Sequence, residues 1–227
     1  MRAALSVFAL FFLSAQALAV SLDDLSNKEA SGGLKEALTQ GASVAVAKLG
    51  KTDGFLGNPQ VKIPLPDGLR QAEGLMRTMG MGKQADELVT AMNRAAESAV
   101  AEAKPILVDA VKKMTVQDAK QILTGGDNSV TEYFRRTTSE QLTGKFKPIV
   151  TKATSKVKLA EKYDQFAGKG AQFGLVKEQD AKLENYVTRK ALDGLFAMIG
   201  EEEKAIRQNP VGATGSLAKK VFGALGQ

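Results

Sequence analysis

The chain predicts an all-α protein, a single multi-helix bundle of about seven to nine helices with one long irregular loop. Three observations carry this expectation. Apolar residues recur at three- and four-residue intervals from Leu34 to Phe222, which is the helix period rather than the strand period of two. The longest stripe runs through residues 83–123, where Leu88, Met92, Ala95, Ala96, Ala99, Val100, Ala103, Leu107, Ala110, Val111 and Met114 share a face that must be buried against other helices. The one extended candidate, residues 61–66, is short and carries Pro64 and Pro66, which restrict it to an edge or an isolated ribbon.

In chain order, Arg2, the apolar run 3–13 and Ala17-Leu18-Ala19 form the three parts of a cleavable export signal, residues 1–19. The alternative is an uncleaved anchor, but the apolar run is too short for a membrane span. The mature chain, residues 20–227, is then one helical domain, expected in the periplasm or secreted and most simply a soluble periplasmic protein. Residues 21–27 read as a short helical lead-in carrying Leu22 and Leu25. Ser31 is placed to cap a helix running to Leu49, with Leu34, Leu38, Ala42, Ala45 and Leu49 inside. Residues 51–66 hold two glycines and three prolines and form the irregular segment. Phe55, Leu56, Val61, Ile63 and Leu65 make it too apolar for a free linker, so it is read as a loop packed over helices, with a mobile lid over a site as the alternative.

Asp67 opens another helix, with Leu69, Ala72, Leu75, Met76 and Met79 inside, and Gly80 and Gly82 separate it from the central stripe. Pro105 should bend or break that stripe near Lys104, because it lacks an N–H and crowds the preceding turn, and the apolar phase that resumes beyond it favours a kink in a continuous buried face. Thr115 with Asp118 three residues on is a capping arrangement for a short helix that Gly125 and Gly126 stop. Residues 129–136 form a helical turn with Val130, Tyr133 and Phe134. Residues 139–166 form a longer helix that Pro148 is positioned to divide. Residues 168–174 relax the pattern, and Glu178 and Asp180 introduce a long helix with Leu183, Tyr186, Val187, Ala191, Leu195, Phe196 and Ile199 inside. Residues 201–207 read as a separate charged short helix, and residues 217–225, with Leu217, Val221, Phe222 and Leu225, as a cap on the bundle.

Composition limits the chemistry. The chain has no histidine and no cysteine, which excludes a Ser-His-Asp triad, a Cys-His pair, an HExxH zinc site, thiol redox centres and disulfides. The formal charge of +6 is modest and interspersed with acids, so no nucleic-acid partner is expected. Two S-x-x-K pairs, Ser155 with Lys158 and Ser216 with Lys219, read as solvent-facing helix residues. Gly168, Gly170 and Gly174 lack the spacing and the preceding strand of a nucleotide loop. No cofactor and no metal site is expected.

The candidate polar or ligand-facing residues are Asn93, Glu97, Asp118, Tyr133, Arg135, Asp193 and Arg207. Asn93 and Glu97 border the central apolar stripe, where a covered carboxylate needs a cation or strong donors; a structural pair with an arginine or lysine is the favoured account. Tyr133 and Arg135, with Arg136, read as a structural tyrosine and pairing arginines ahead of an anion pocket. Glu201, Glu202 and Glu203 crowd beside Arg207, and Asp180 with Glu184 is placed on one helix face; surface charge and helix-end pairing account for both groups ahead of cation binding.

The runs Ile63-Pro64-Leu65-Pro66, Met92-Asn93-Arg94-Ala95-Ala96-Glu97, Asp118-Ala119-Lys120-Gln121-Ile122-Leu123-Thr124-Gly125 and Thr131-Glu132-Tyr133-Phe134-Arg135 occur in that order. They are followed by Tyr186-Val187-Thr188, Lys190-Ala191-Leu192-Asp193-Gly194-Leu195-Phe196, Ile206-Arg207-Gln208-Asn209-Pro210 and Lys220-Val221-Phe222-Gly223. Through these motifs the chain resembles DUF4197, a family of exported bacterial proteins of unknown function, over almost all of its mature length. The resemblance implies a helical domain and an envelope location, and it supplies no reaction. Some members resemble lipoproteins; the absence of cysteine here departs from that form.

The leading functional expectation is a noncatalytic periplasmic binding or structural module that contacts an envelope component or an apolar ligand. The alternative is an acid-based or metal-assisted hydrolase of the envelope using Glu97, Asp118 or Asp193. Residues 145–162 carry six lysines against Glu161, opposite Phe146, Ile149, Val150, Ala153 and Val157. The expected arrangement buries the apolar side in the bundle and leaves the lysines in water, with a weak, salt-sensitive attraction to anionic membrane surfaces.

Overall fold

The structure, a computed structural model, describes residues 27–172 and 177–209. It contains α1 (Asn27–Leu49), α2 (Asp67–Thr78), α3 (Gly82–Ala101), α4 (Lys104–Lys113), α5 (Val116–Leu123), α6 (Ser129–Thr154), α7 (Lys158–Gln172) and α8 (Leu183–Gln208), with a 3₁₀ turn at Glu178–Asp180. Among the described residues there is no strand, and the all-α bundle expected from the periodicity is what forms. The export signal, the lead-in with Leu22 and Leu25, Ser216 with Lys219, Gly174 and the segment 217–225 lie outside the described residues, as does the side chain of Ala72.

The central stripe is the core. Leu88, Met92, Ala95, Ala96, Ala99 and Val100 are fully buried, and α3 lies against α6, α8 and α1. Four of those six side chains are alanine or valine, small enough to let neighbouring helices approach closely. The most extensive contact in the bundle is between α6 and α8, the two longest helices.

The kink favoured at Pro105 is instead a full break between two helices. Glu102 and Ala103 close α3 with short-range bonds to Ala99 and Val100, and Pro105 then sits in the first turn of α4, where a missing N–H costs nothing. The apolar face still continues across the break, through Ala103, Leu107 and Val111. Thr115 and Asp118 form the reciprocal capping box that the sequence indicated for α5.

Several boundaries differ from the sequence reading. Ser31 is inside α1, which begins at Asn27, so it caps nothing. Pro148 does not divide its helix: α6 runs unbroken from Ser129 to Thr154, because Phe146 and Val150 on either side of the proline are fully buried and hold the helix in place. The division falls instead at residues 155–157. Helix α7 continues through Gly168 to Gln172, and residues 201–207 extend α8 without interruption. Of the described inner candidates around α2, Met76 is buried and Leu69 packs partly against the core as expected, whereas Leu75 and Met79 are 65% and 67% exposed. That helix packs chiefly on α3, so only one narrow side of it is covered.

Residues 51–66 are packed, not a lid. Phe55, Ile63 and Leu65 are at most 3% exposed. Phe55 lies against Gly194 of α8 so closely that a Cβ there would stand 2.6 Å from the ring. A larger residue at 194 would push the loop off the helix.

Candidate functional site

The residues singled out from sequence fall into four separate places. The first joins α3 to the 51–66 loop. Asn93 is fully buried. Its Oδ1 accepts the Ile63 N–H at 2.8 Å, while its Nδ2 donates to the Ile63 carbonyl at 2.9 Å and to the Val89 carbonyl at 2.8 Å. A side-chain amide thus pairs with an extended backbone as a neighbouring strand would, which explains how a proline-flanked ribbon survives alone. One turn on, Glu97 Oε1 accepts the N–H groups of Phe55 and Leu56, each at 3.1 Å. Its Oε2 accepts from Arg94 at 2.7 Å, and Arg94 reaches on to Asp53 at 2.8 Å. Asp53 has φ of 65°, the left-handed region that aspartate tolerates better than most residues. Arg94 is held more firmly protonated by Glu97 and then Asp53. Asn93 and Glu97 therefore use their polar atoms on the loop backbone, and the pairing with an arginine favoured from sequence is present.

The second place is the α5–α6 corner. Asp118 accepts from the Thr115 hydroxyl at 2.6 Å and the Thr115 N–H at 3.1 Å, and Arg136 donates to its other oxygen at 3.0 Å. These partners, the Thr115 hydroxyl first and Arg136 next, hold its carboxyl below the usual aspartate value. Tyr133, beside it on α6, is buried and donates its hydroxyl to the Ala110 carbonyl of α4 at 2.7 Å. Burial raises its phenol, with the nearby Asp118 charge adding to the shift. Arg136 lies over the Tyr133 ring at 5.7 Å. This corner ties three helices together and leaves no carboxylate free to act as a base.

The third place was legible only as crowded charge. Glu203, 4% exposed, accepts the N–H groups of Val130 at 3.0 Å and Thr131 at 3.1 Å, and the Thr131 hydroxyl at 3.0 Å. Asn128 at the N-cap of α6 makes no side-chain cap, so a glutamate from α8 satisfies the first-turn donors and faces the positive helix end. Arg207 completes the arrangement, donating to Glu203 at 3.1 Å, Ser129 Oγ at 2.7 Å and the Ile122 carbonyl at 3.2 Å. A second exchange of the same kind has Asp164 of α7 accepting the Leu183 N–H at 2.7 Å, at the start of α8. The sequence signal for Glu203 was an acid four residues before an arginine; that it serves another helix was not readable locally.

Arg135 and Asp193 meet in the fourth place, an open groove of about 530 Å³ between α6 and α8. Arg135 stacks on Phe196 at 4.7 Å and makes only long ion pairs, 3.9 Å to Glu132 and 4.0 Å to Asp193. Arg189 reaches Asp193 at 3.6 Å. Thr131, Glu132 and Lys204 also line the groove. Asp127, Glu132, Asp193 and Glu201 outnumber Arg135 and Lys204 along it, yet no group of three acidic residues placed to hold a metal ion occurs among the described residues. The other acid pair from sequence is split: Asp180 is in the 3₁₀ turn and accepts from Arg189 at 2.7 Å, whereas Glu184 accepts from Thr151 at 2.9 Å.

Ser155 and Lys158 are separated by the break between α6 and α7, and the Ser155 hydroxyl donates to the Lys152 carbonyl at 3.3 Å. Among the described residues no helix is long and apolar enough to cross a membrane. No curated protein and no solved structure matches the chain. The family of proteins of unknown function DUF4197 matches it over residues 24–223, nearly its whole length, and the chain belongs to that family.

Proposed function

We propose that the chain is a noncatalytic binding or structural module of the bacterial cell envelope, exported and soluble in the periplasm. One observation carries this reading: the buried polar side chains Asn93, Glu97 and Glu203 are bonded to the backbone of other segments of the same chain. Groups poised for catalysis are commonly held with perturbed ionisation in a concave site. Here Glu97 and Asp118, the acids of the competing hydrolase reading, are held by arginines in separate corners, and Asp193 faces an open groove. The Arg135–Phe196 stack and its loosely engaged charges suit a polar segment of an envelope partner, which would gain the free edges of Arg135 and Lys204 as donors.

A photo-crosslinking residue in place of Glu132 or Lys204, both lining the groove, tests this directly in cells. Recovery of the same envelope protein or lipid from both positions, and not from one on the α3 surface such as Thr90, is expected. Recovery of nothing above control, or hydrolysis of an envelope polymer by the purified chain that Glu97→Gln or Asp193→Asn abolishes, would overturn the reading.

A further inference from the structure

The turn between α2 and α3 gathers three of the chain's seven methionines, Met76, Met79 and Met81, within six residues. Met92, Met114 and Met198 are single buried residues of the core. Met76 and Met79 are one helical turn apart, which sets their Cβ atoms about 5–6 Å apart on one side of the helix end. Gly80, at φ of 77°, then reverses the chain: its N–H donates to the Arg77 carbonyl at 3.2 Å, and the Met81 N–H donates to the Met76 carbonyl at 2.8 Å. In a helix end closed this way the residue after the glycine folds back on the last turn, so Met81 is returned to Met76.

Packing accounts for two of the three. Met76, 8% exposed, belongs to the core, and Met81 packs partly against it. Met79 is 67% exposed, beside the equally exposed Leu75 one turn earlier. The turn thus joins a buried, a half-buried and an exposed thioether, each on a flexible unbranched arm that can converge on one ion entering from the solvent side.

The donors decide which ion. Thioethers are neutral and soft, and they select monovalent copper over the hard cations that require carboxylate or carbonyl oxygens. With no histidine and no cysteine in the chain, no stronger soft ligand competes with them. The carboxylates beside the turn, Glu73 and Asp86, are both held by Arg77, at 2.7 and 2.8 Å. Arg77 in turn lies against Gly82, its Nη1 3.3 Å from where a Cβ would stand, which fixes this ion-pair group at the turn. Two carboxylates on one guanidinium leave an excess of negative charge there, and a monovalent cation offsets it.

We propose that Met76, Met79 and Met81 form a binding site for monovalent copper, an all-thioether site in which exposed Met79 closes over the ion. The site shares no residue with the α6–α8 groove and is independent of any partner there.

Silver(I), a redox-inert ion of the same charge and softness, is the probe, added as nitrate to the purified full chain in chloride-free buffer. Isotope-labelled methionine methyl groups read each thioether separately by nuclear magnetic resonance. One equivalent of silver(I) should shift the methyls of Met76, Met79 and Met81 and leave those of Met92, Met114 and Met198 in place. Met79→Leu alters an exposed position and keeps the fold, checked by circular dichroism; it should weaken silver(I) binding about tenfold or more. Met92→Leu, a volume-conserving change in the core, should leave the affinity unaltered. Monovalent copper, kept reduced with ascorbate in the absence of oxygen, should show a first shell of sulfur alone in X-ray absorption. The proposal is overturned by methyl resonances that do not move, by shifts as large at the core methionines as at the turn, or by unchanged affinity in Met79→Leu. A copper shell of nitrogen or oxygen overturns it equally, as does a silver-dependent dimer on gel filtration, which would place the ion between two chains.

Discussion

Glu203 on α8 accepts both the backbone N–H and the hydroxyl of Thr131 on α6, at 3.1 and 3.0 Å, so one helix is capped by a side chain 72 residues away. Removing the carboxylate by Glu203→Ala would strand two buried N–H groups and leave the Arg207 guanidinium without its anion. The expected loss is about 3–5 kcal/mol of unfolding free energy, read from the urea midpoint at unchanged slope. Glu203→Gln keeps one acceptor oxygen and should lose less. Equal losses for Lys204→Ala, an exposed neighbour, would show that the cap contributes nothing.

The loop clamp predicts local rather than global loosening. Asn93→Ala removes three hydrogen bonds to backbone and leaves the Ile63 N–H and carbonyl buried without partners, at about 1–3 kcal/mol. Because Glu97 holds the other end of the same loop, Asn93→Ala and Glu97→Gln should be non-additive. Hydrogen exchange should rise first at Phe55, Leu56 and Ile63. Unaltered protection at those three amides in Asn93→Ala would contradict the clamp.

How much of this was legible beforehand follows from how local each cause is. The α3 stripe and the capping box of Thr115 and Asp118 depend on residues within one or two turns, and the local pattern exposed them, whereas at Pro105 the resumed apolar phase favoured a kink and the helix breaks instead. Pro148 misled because a local rule lost to burial of Phe146 and Val150, which depends on helices far away in the chain. Leu75 and Met79 misled for the opposite reason: a clean amphipathic pattern on α2 states which side is apolar, not whether anything covers it. Glu203 was visible only as crowded charge and Asp164 was not singled out at all, because the amide groups they satisfy belong to other helices. Of the site candidates, Glu97 was recognised as needing a cation or donors and it has Arg94, but its other donors and the partners of Asn93 include backbone of the irregular loop. Gly194 carried no signal until Phe55 was seen against it.

That contact gives a sharp volume test. Gly194→Ala places a methyl group 2.6 Å from the Phe55 ring, so overpacking of about 1–3 kcal/mol is expected. Phe55→Leu should lose stability alone yet recover part of the loss when combined with Gly194→Ala. Additive losses in the double variant would mean that the two residues do not share the space.

All three tyrosines of the chain are buried, and their phenols titrate late. Burial is the largest cause at each, raising Tyr133 and Tyr163 and pushing Tyr186 up to about 12. A phenol raised in the folded state contributes stability that is intact below its unfolded value of about 10 and is lost as the pH climbs through the folded one. The urea midpoint should therefore fall between about pH 10 and 12, and phenolate absorbance should appear together with loss of helical circular dichroism. Asp118 acts on the opposite limb: its lowered carboxyl contributes stability above about pH 4 that is lost in more acid solution. Phenolate absorbance completed well before helix is lost would place the tyrosines at the surface.

The lysine-rich junction of α6 and α7 gives the last prediction. Phe146 and Val150 are fully buried in the bundle and Ile149 packs against it, so the apolar side of residues 145–162 is not offered to a membrane. Lys145 and Lys147 are engaged by Glu102 at 3.5 Å and Glu184 at 3.3 Å. Lys152, Lys156, Lys158 and Lys162 are exposed around the break, with Glu161 the one acid in that run. Any attraction to anionic headgroups therefore acts through charge at a distance, contributes about 1 kcal/mol or less per lysine and weakens as salt shortens the screening length. Cosedimentation with vesicles rich in anionic phospholipid should be measurable at low salt, nearly absent at physiological salt, and reduced at low salt by Lys156→Glu with Lys158→Glu. Phe146→Ser should instead unfold the protein, at about 3–5 kcal/mol for loss of a fully buried aromatic ring. Association that persists at physiological salt and disappears with a folded Phe146→Ser variant would mean that α6 leaves the bundle to enter the bilayer.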